Sequence, residues 1–288
     1  IDGKPRRMSL AELAAENGLH RVGARPHFFS YIAETWSRRQ FALTLARYRM
    51  RSSVEANRLG LVWILLRPSM NALVYGAIFG ILQAGRRPPD YAAYVVVGVF
   101  FFHFFSGSLQ SGAKSITGNG ALVQSLAFPR LTLPLAIVLQ ELLEFLVTMV
   151  VMLPVVVLFG HMPGWDWFLL IPLVFLFTLF NAGVALIAAR LTVHVRDLTQ
   201  ILPVFTRLLF YSSGVLFNVN TILANHPKIV AAFDYYPVYQ VLQLARHILT
   251  ETPIYHVEYW GYLTGTSIFT FVVGLVFFWV AEERYGRN

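Results

Sequence analysis

Leu146-Val-Thr-Met-Val-Val-Met-Leu-Pro-Val-Val-Val-Leu-Phe159 carries no charge, and its apolar side chains do not alternate with polar ones. A transmembrane β-strand would show alternating segments of about ten residues, and a soluble helix would keep a polar face. Read outward, the apolar character persists over residues 131–160, which exceeds the roughly 20 helical residues that cross a bilayer core of about 30 Å. Inside lipid every backbone donor and acceptor must be satisfied within the segment, so such a stretch is helical. Five more stretches pass the same test, at 61–84, 91–113, 165–189, 198–219 and 259–281. The expected fold is an all-α integral membrane protein with six transmembrane helices. Pro154, Pro172 and Pro203 fall inside spans, where proline is tolerated and kinks the helix.

The composition of the 288 residues agrees with that reading. They are 56% hydrophobic and 13% charged, with a mean hydropathy of +0.57, whereas soluble domains carry about 25% charged residues. Cysteine is absent, which excludes disulfides, iron–sulfur clusters and thiolate zinc sites. The net charge of +8 would also suit a nucleic-acid partner, so its distribution decides. Residues 1–60 hold eleven of the 23 Lys and Arg, and Lys114, Arg130, Arg190, Arg196, Arg207, Arg284 and Arg287 fall on the same face. The opposite face has Arg86, Arg87, Lys228 and Arg246, and Arg67 lies within the first span. The positive-inside rule then places both termini in the cytoplasm; topology accounts for the charge, and no nucleic-acid partner is expected.

The chain divides into a cytoplasmic N-terminal extension (1–27), an amphipathic interface helix with its connector (28–58), the six-span domain (59–281) and a cytoplasmic tail (282–288). The extension has no apolar core of the kind a signal peptide needs. Ser9 followed by Glu12 gives a capping-box pattern that predicts a short helix from Met8 to Gly18. From Phe28 to Arg49, Phe29, Ile32, Trp36 and Leu43 form an apolar stripe while Arg38, Arg39 and Arg47 can face lipid phosphates, as in a helix lying in the membrane interface; an ordinary soluble helix is the simpler alternative.

The loop from Lys114 to Arg130 reads as a short helix capped by Asn119, with Leu122, Val123 and Leu126 on one side and Pro129 as its stop. Apolar residues carried into the cytoplasm in this way suggest a docking knob. Arg196 and Asp197 mark another loop on that face. On the outside, 220–258 includes an almost wholly apolar helical pattern from Tyr239 to Thr250, suggesting a re-entrant or interface-embedded piece.

No G-x-x-x-x-G-K-[ST] is present, so the chain has no Walker loop for nucleotide phosphates, and the eight His are too scattered to suggest a metal site. Polar groups inside spans are costly, which singles out Arg67, Glu141, Glu144 and Arg207. Glu141 and Glu144 share a helix face, and Arg207 enters from the same side, so an ion pair of Arg207 with either carboxylate is expected; the alternative is that both carboxylates snorkel to water. Gly76 and Gly80 allow close helix packing. Trp63, Tyr75, Phe79, Phe100, Phe104, Phe205, Phe210, Tyr211 and Phe217 crowd the first, second and fifth spans. Most such rings face lipid or protein, but aromatic faces also offer a sugar a smooth apolar path.

Several blocks together resemble the ABC-2-type export permeases. They are Arg47-Tyr-Arg-Met-Arg51 with Leu59-Gly-Leu-Val-Trp-Ile-Leu-Leu-Arg-Pro68 at the entry to the first span; Leu122-Val-Gln-Ser-Leu-Ala-Phe-Pro-Arg-Leu-Thr-Leu-Pro134, similar to a first coupling helix; Val195-Arg-Asp-Leu-Thr-Gln200; and Tyr236-Pro-Val-Tyr-Gln-Val-Leu-Gln-Leu-Ala-Arg246, similar to an external re-entrant segment. They follow the family's order over residues 45–281. Within the family the likeness is to permeases for lipid-linked polysaccharides such as O-antigens, teichoic acids and, given the basic extension, mycobacterial-type galactan. Ser212-Ser-Gly-Val-Leu-Phe217 departs from the family's Pro-containing turn in span five.

The resemblance implies a homodimer in the bacterial plasma membrane bound to two copies of a separate ATP-binding cassette subunit, which would hold the ATP and Mg²⁺; this chain would be no enzyme and carry no cofactor. It implies an ATPase-coupling surface of Trp36, Arg38, Arg39, Leu122, Val123, Leu126, Phe128, Arg130, Arg196 and Asp197, with the aromatics above along the path of a lipid-linked polysaccharide among membrane lipids. The competing readings are a drug or lipid exporter of the same fold, and a membrane enzyme acting on lipid-linked sugars with Glu141 and Glu144 as its only candidate acids.

Overall fold

A computed structural model describes residues 27–55, 60, 62–83, 85, 88, 90–125, 128–250 and 256–282. The described residues form helices and turns, with no strand among them. In chain order the helices are α1 (Phe28–Ser37), α2 (Arg39–Glu55), α3 (Val62–Leu82), α4 (Tyr91–Ala113), α5 (Gly120–Ser125), α6 (Thr132–Leu158), α7 (Leu170–His194), α8 (Leu198–Ser212), α9 (Val219–Ile222), α10 (Pro227–Phe233), α11 (Pro237–Thr250) and α12 (Glu258–Val280). The expected Met8–Gly18 helix, Arg58, Leu126, the external Arg86 and Arg87, and residues 283–288 of the tail lie outside the described residues.

Five helices among the described residues are long and apolar enough to cross a membrane: α3, α4, α6, α7 with the 3₁₀ turn that precedes it, and α12. The stretch at 198–219 behaves differently. Its helix, α8, has 15 residues, about 22 Å at 1.5 Å per residue, and it ends at Ser213 and Gly214, where Gly214 takes a φ of +70° that glycine adopts without a Cβ penalty.

α4 is the central helix. It packs against α7, α6, α3, α11 and α8, and 72% of its most apolar stretch is buried, against 11% for α3. Aromatic rings fill the middle of the bundle: Phe101 and Phe104 of α4 lie 4.9 and 5.0 Å from Phe145 of α6, and Phe104 is 5.5 Å from Phe177 of α7. α12 runs along α7 at close range because Gly183 and Gly274 face each other; a Cβ on Gly183 would stand 2.5 Å from the Thr270 backbone.

The stretch expected to form one interface helix is two helices, broken at Arg38. α1 exposes Phe29 and Trp36 and buries Tyr31. The segment expected outside forms α9, α10 and α11, and of the two forms expected for its apolar helix, re-entrant or interface-embedded, the burial of α11 speaks against the second. Eleven of its 14 residues are buried, and it packs on α4, α7 and α12 inside the protein.

Candidate functional site

The candidate side chains and their neighbours gather in four places: the end of the bundle with α1, α2 and α5 (the basic end), a ring cluster between α3 and α8, a cavity between α3, α4 and α6, and the turn that follows α8.

At the basic end, Tyr31 of α1 is the hub. Its hydroxyl donates to Glu282 Oε2 at 2.6 Å and accepts from the Leu131 N–H at 3.1 Å. Arg130 donates from its backbone N–H to Glu282 Oε1 at 3.2 Å and from Nη1 to the Glu282 carbonyl at 2.7 Å, with the charged groups 4.0 Å apart. Glu282, the first residue of the expected cytoplasmic tail, is therefore a buried carboxylate that joins α1, the start of α6 and the end of α12. Burial pushes its carboxyl up from the ordinary value, and the Tyr31 hydroxyl and Arg130 partly offset that. Sequence reasoning named Arg130 and missed its partner Glu282 and the Tyr31 hydroxyl that holds the same carboxylate. The available signal was an acidic residue directly after a span, facing an arginine that opens another.

The expected coupling residues separate by exposure. Trp36, Arg38, Arg39, Arg196 and Asp197 are exposed, with Arg38 3.7 Å from Glu34 and the Arg39 guanidinium 5.5 Å from the Trp36 ring. Val123, expected on an outward knob, is instead buried, and Leu122 and Phe128 are half-buried, all three packing with Tyr31, Leu131 and Phe278. The α5 helix is too short to bury a separate face, so its apolar residues complete the chain's own core, and Gly120 and Ala121 remain exposed. Asn119 closes the 3₁₀ turn that leads into α5. Its carboxamide donates to the Ser115 carbonyl at 2.6 Å and accepts from Arg49 of α2, tying the loop to the interface helix.

The nine aromatics divide between separate places. Tyr75 and Phe79 of α3 meet Phe210 and Tyr211 of α8: Tyr75 is 5.1 Å from Phe210 and 6.0 Å from Tyr211, Phe79 stacks on Tyr211 at 6.4 Å, and the two tyrosine hydroxyls are 3.5 Å apart. Phe205 is exposed on α8 and Phe217 packs against the core after the turn. Trp63, Phe100 and Phe104 lie elsewhere, in the wall of a cavity of about 400 Å³ between α3, α4 and α6.

Arg67, His103, Gln140, Glu141 and Glu144 line that same cavity. Gln140 donates to Glu144 Oε1 at 3.0 Å. Glu141 lies against α4 at Gly107, where any Cβ would collide with the carboxylate. The expected pairing of Arg207 with Glu141 or Glu144 is not formed: α8 packs on α4 and α7 rather than along α6, and Arg207 is exposed. The intramembrane arginine that shares a site with the two carboxylates is Arg67. No group of three His, Cys, Asp or Glu placed to hold a metal occurs among the described residues.

The turn after α8 leaves helical geometry inside the bundle, where free carbonyls are expensive. Four carbonyls in a row are met by side chains. Arg246 of α11 donates from Nη1 to Gly214 at 3.0 Å and from Nη2 to Val215 at 2.8 Å. The Tyr91 hydroxyl and Gln83 Nε2 donate to Leu216 at 2.8 and 3.0 Å, and the Tyr94 hydroxyl donates to Phe217 at 2.8 Å. Arg246 also donates from Nε to the Tyr94 carbonyl at 3.3 Å, and its guanidinium lies 3.4 Å over the Tyr94 ring. From the sequence Arg246 counted among the charges of the face opposite the basic end; it is fully buried, and Gly98 leaves the space it fills.

These features define a multi-pass helical membrane protein with a polar, aromatic interior and a tied basic end. Residues 40–250 match the ABC-2 type transporter family, and the chain belongs to that family. It is 27% identical over 234 residues to the O-antigen export system permease protein RfbA of Klebsiella pneumoniae, covering 81% of this chain and 88% of that one. It is 28% identical over 192 residues to the protein of the same name from Myxococcus xanthus, covering 66% and 73%. It is 24% identical over 230 residues to the polysialic acid transport protein KpsM of Escherichia coli, covering 78% and 87%.

Proposed function

We propose that this chain is the membrane permease subunit of an exporter that moves a lipid-linked polysaccharide, O-antigen- or galactan-like, across the bacterial plasma membrane, powered by a separate ATP-binding subunit. The observation that carries the proposal is that relatives from three bacteria, matched over 73–88% of their own lengths, are all named for polysaccharide export or transport. The missing Walker loop supports a division of labour in which ATP and Mg²⁺ belong to the partner.

In this reading α8 and the carbonyl-capped turn after it make the sixth crossing, and both termini are cytoplasmic. α1 lies in the interface with Phe29 and Trp36 toward lipid. The exposed apolar faces of α3 and α8 suit a second copy of the chain, whose approach would complete a path past Tyr75, Phe79, Phe210 and Tyr211. Two ATPase subunits would bind the basic end through Trp36, Arg38, Arg39, Arg196 and Asp197. Tyr31, Arg130 and Glu282 would carry their closure into α6 and α12, because these side chains tie the two spans to the interface helix.

The test is ATP-driven translocation in vesicles that hold this chain, its ATPase and the cell's own lipid-linked polysaccharide. The expected result is polysaccharide appearing on the far side only when both subunits and ATP are present. Translocation by this chain alone, or export of small drugs without polysaccharide, would contradict the proposal.

A further inference from the structure

The cavity between α3, α4 and α6 has the volume of a small-ligand site, in the range of roughly 300–1,000 Å³ that such sites occupy. It begins beside Gly60, where the chain enters α3, and reaches the middle of the bundle at Phe104 and Phe145. Its lining combines two kinds of group that membrane interiors seldom bring together. Trp63, Phe100, Phe104 and Phe145 supply ring surfaces; Arg67, His103, Gln140, Glu141, Glu144 and Thr148 supply donors and acceptors. Pro68 adds one more acceptor, because it has no N–H for the Ile64 carbonyl one turn earlier, and both residues line the cavity.

Three classes of occupant can be weighed against this lining. An acyl chain would offer no partner to Arg67, His103 or the buried Glu141 and would seal them against hydrocarbon, which is expensive. A phosphate or diphosphate would meet Arg67 but also two carboxylates, and like charges brought together oppose binding. A neutral sugar satisfies both sets. Its hydroxyls donate to Glu141, Glu144 and the Ile64 carbonyl and accept from Arg67 and Gln140, while its C–H face lies on an aromatic ring.

We infer that this cavity is a saccharide-binding subsite that holds one or two neutral sugar residues of the transported chain. The inference rests on the permease reading and deepens it: the sugar is gripped here, in a polar cavity inside each subunit, and slides along the separate ring cluster between α3 and α8.

The natural absence of cysteine allows a direct test. Ile64→Cys puts one thiol in the cavity wall without removing a hydrogen-bonding side chain, and its reaction with a small methanethiosulfonate reagent is timed in the purified protein. Galactose, mannose or N-acetylglucosamine at high millimolar concentration is expected to slow the reaction at least about threefold, with inorganic pyrophosphate inert and a Lys228→Cys control unaffected. No protection by any of the three sugars, or protection by pyrophosphate, would overturn the inference. In the complete transporter, Glu144→Leu is expected to assemble normally and to lower polysaccharide translocation about tenfold. Translocation at the wild-type rate would overturn the subsite and leave the permease reading standing; failure of the wild-type complex to move polysaccharide would instead overturn the permease reading.

Discussion

Arg246 at one end of the bundle and Glu282 at the other are both buried charges, and they are compensated in different ways. Arg246 has no carboxylate beside it in its set of partners; three backbone carbonyls and the face of Tyr94 stabilise it. Glu282 is held by an arginine, a tyrosine hydroxyl and a backbone N–H from other parts of the chain. The first arrangement repairs a break in one helix and fixes a shape. The second joins α1, the start of α6 and the end of α12 through side chains that can part and re-form. Under the proposed function, the first would be a rigid end and the second the end through which force from an ATPase enters.

The largest expected effect tests the rigid end. Arg246→Met leaves the Val215 carbonyl without its donor, leaves Gly214 only the Tyr94 hydroxyl at 3.1 Å and removes the bond to the Tyr94 carbonyl, at a cost of ~3 kcal/mol, and folded yield and melting temperature in detergent should fall sharply. Arg246→Lys should not restore them, since an ammonium lacks the planar fork that reaches separate acceptors. Equal stability of Arg246→Lys and wild type would break the comparison. Gly98→Ala, which drives a methyl into the guanidinium and the Val215 carbonyl, should cost about 1–3 kcal/mol as overpacking, read as a smaller drop in the same melting curve.

At the other end, Tyr31→Phe removes one hydroxyl that serves two partners and should cost about 1–2 kcal/mol. Its informative readout is coupling: ATP hydrolysis by the partner should continue while translocation falls. Loss of stability with unchanged coupling would make the Tyr31 hub merely structural.

Glu282 adds a pH signature. Its folded-state pKa is raised above the unfolded value of about 4.5, so the folded state binds the proton more tightly. The associated stability is present below the unfolded pKa and is lost as pH rises through the folded one. Glu34, Tyr31 and Arg130 act on the same group. Melting temperature against pH should therefore slope downward above the ordinary glutamate range, and Glu282→Gln should flatten that slope. The smallest effect belongs to Arg38→Ala. Its exposed pair with Glu34 contributes at most about 0.5 kcal/mol, so the melting curve should not move while binding of the ATPase weakens.

How much of this was legible in the sequence follows the same divide. The five long spans were readable because apolar length is a local property. α3 and α4 look alike on that measure, yet one is mostly exposed and the other mostly buried, because lipid and protein interior reward the same side chains. The end of α8 was misjudged because its stability depends on Arg246, 31 or 32 residues farther along the chain than the carbonyls it serves. Glu144 suggested Arg207 as a partner by depth alone, whereas helix packing put Arg67 in that cavity. Val123 looked like a docking residue because an apolar side chain in a short loop does not reveal which surface it covers.

Coupling to an ATP-binding subunit requires the basic end to face the compartment that holds ATP. The most direct test introduces single cysteines into this cysteine-free chain, at the exposed Lys114 on the basic end and at the exposed Lys228 of α10 on the other, and treats intact cells with a membrane-impermeant maleimide. Lys228→Cys should be labelled at once and Lys114→Cys only after the membrane is opened; labelling in the reverse order would contradict the account.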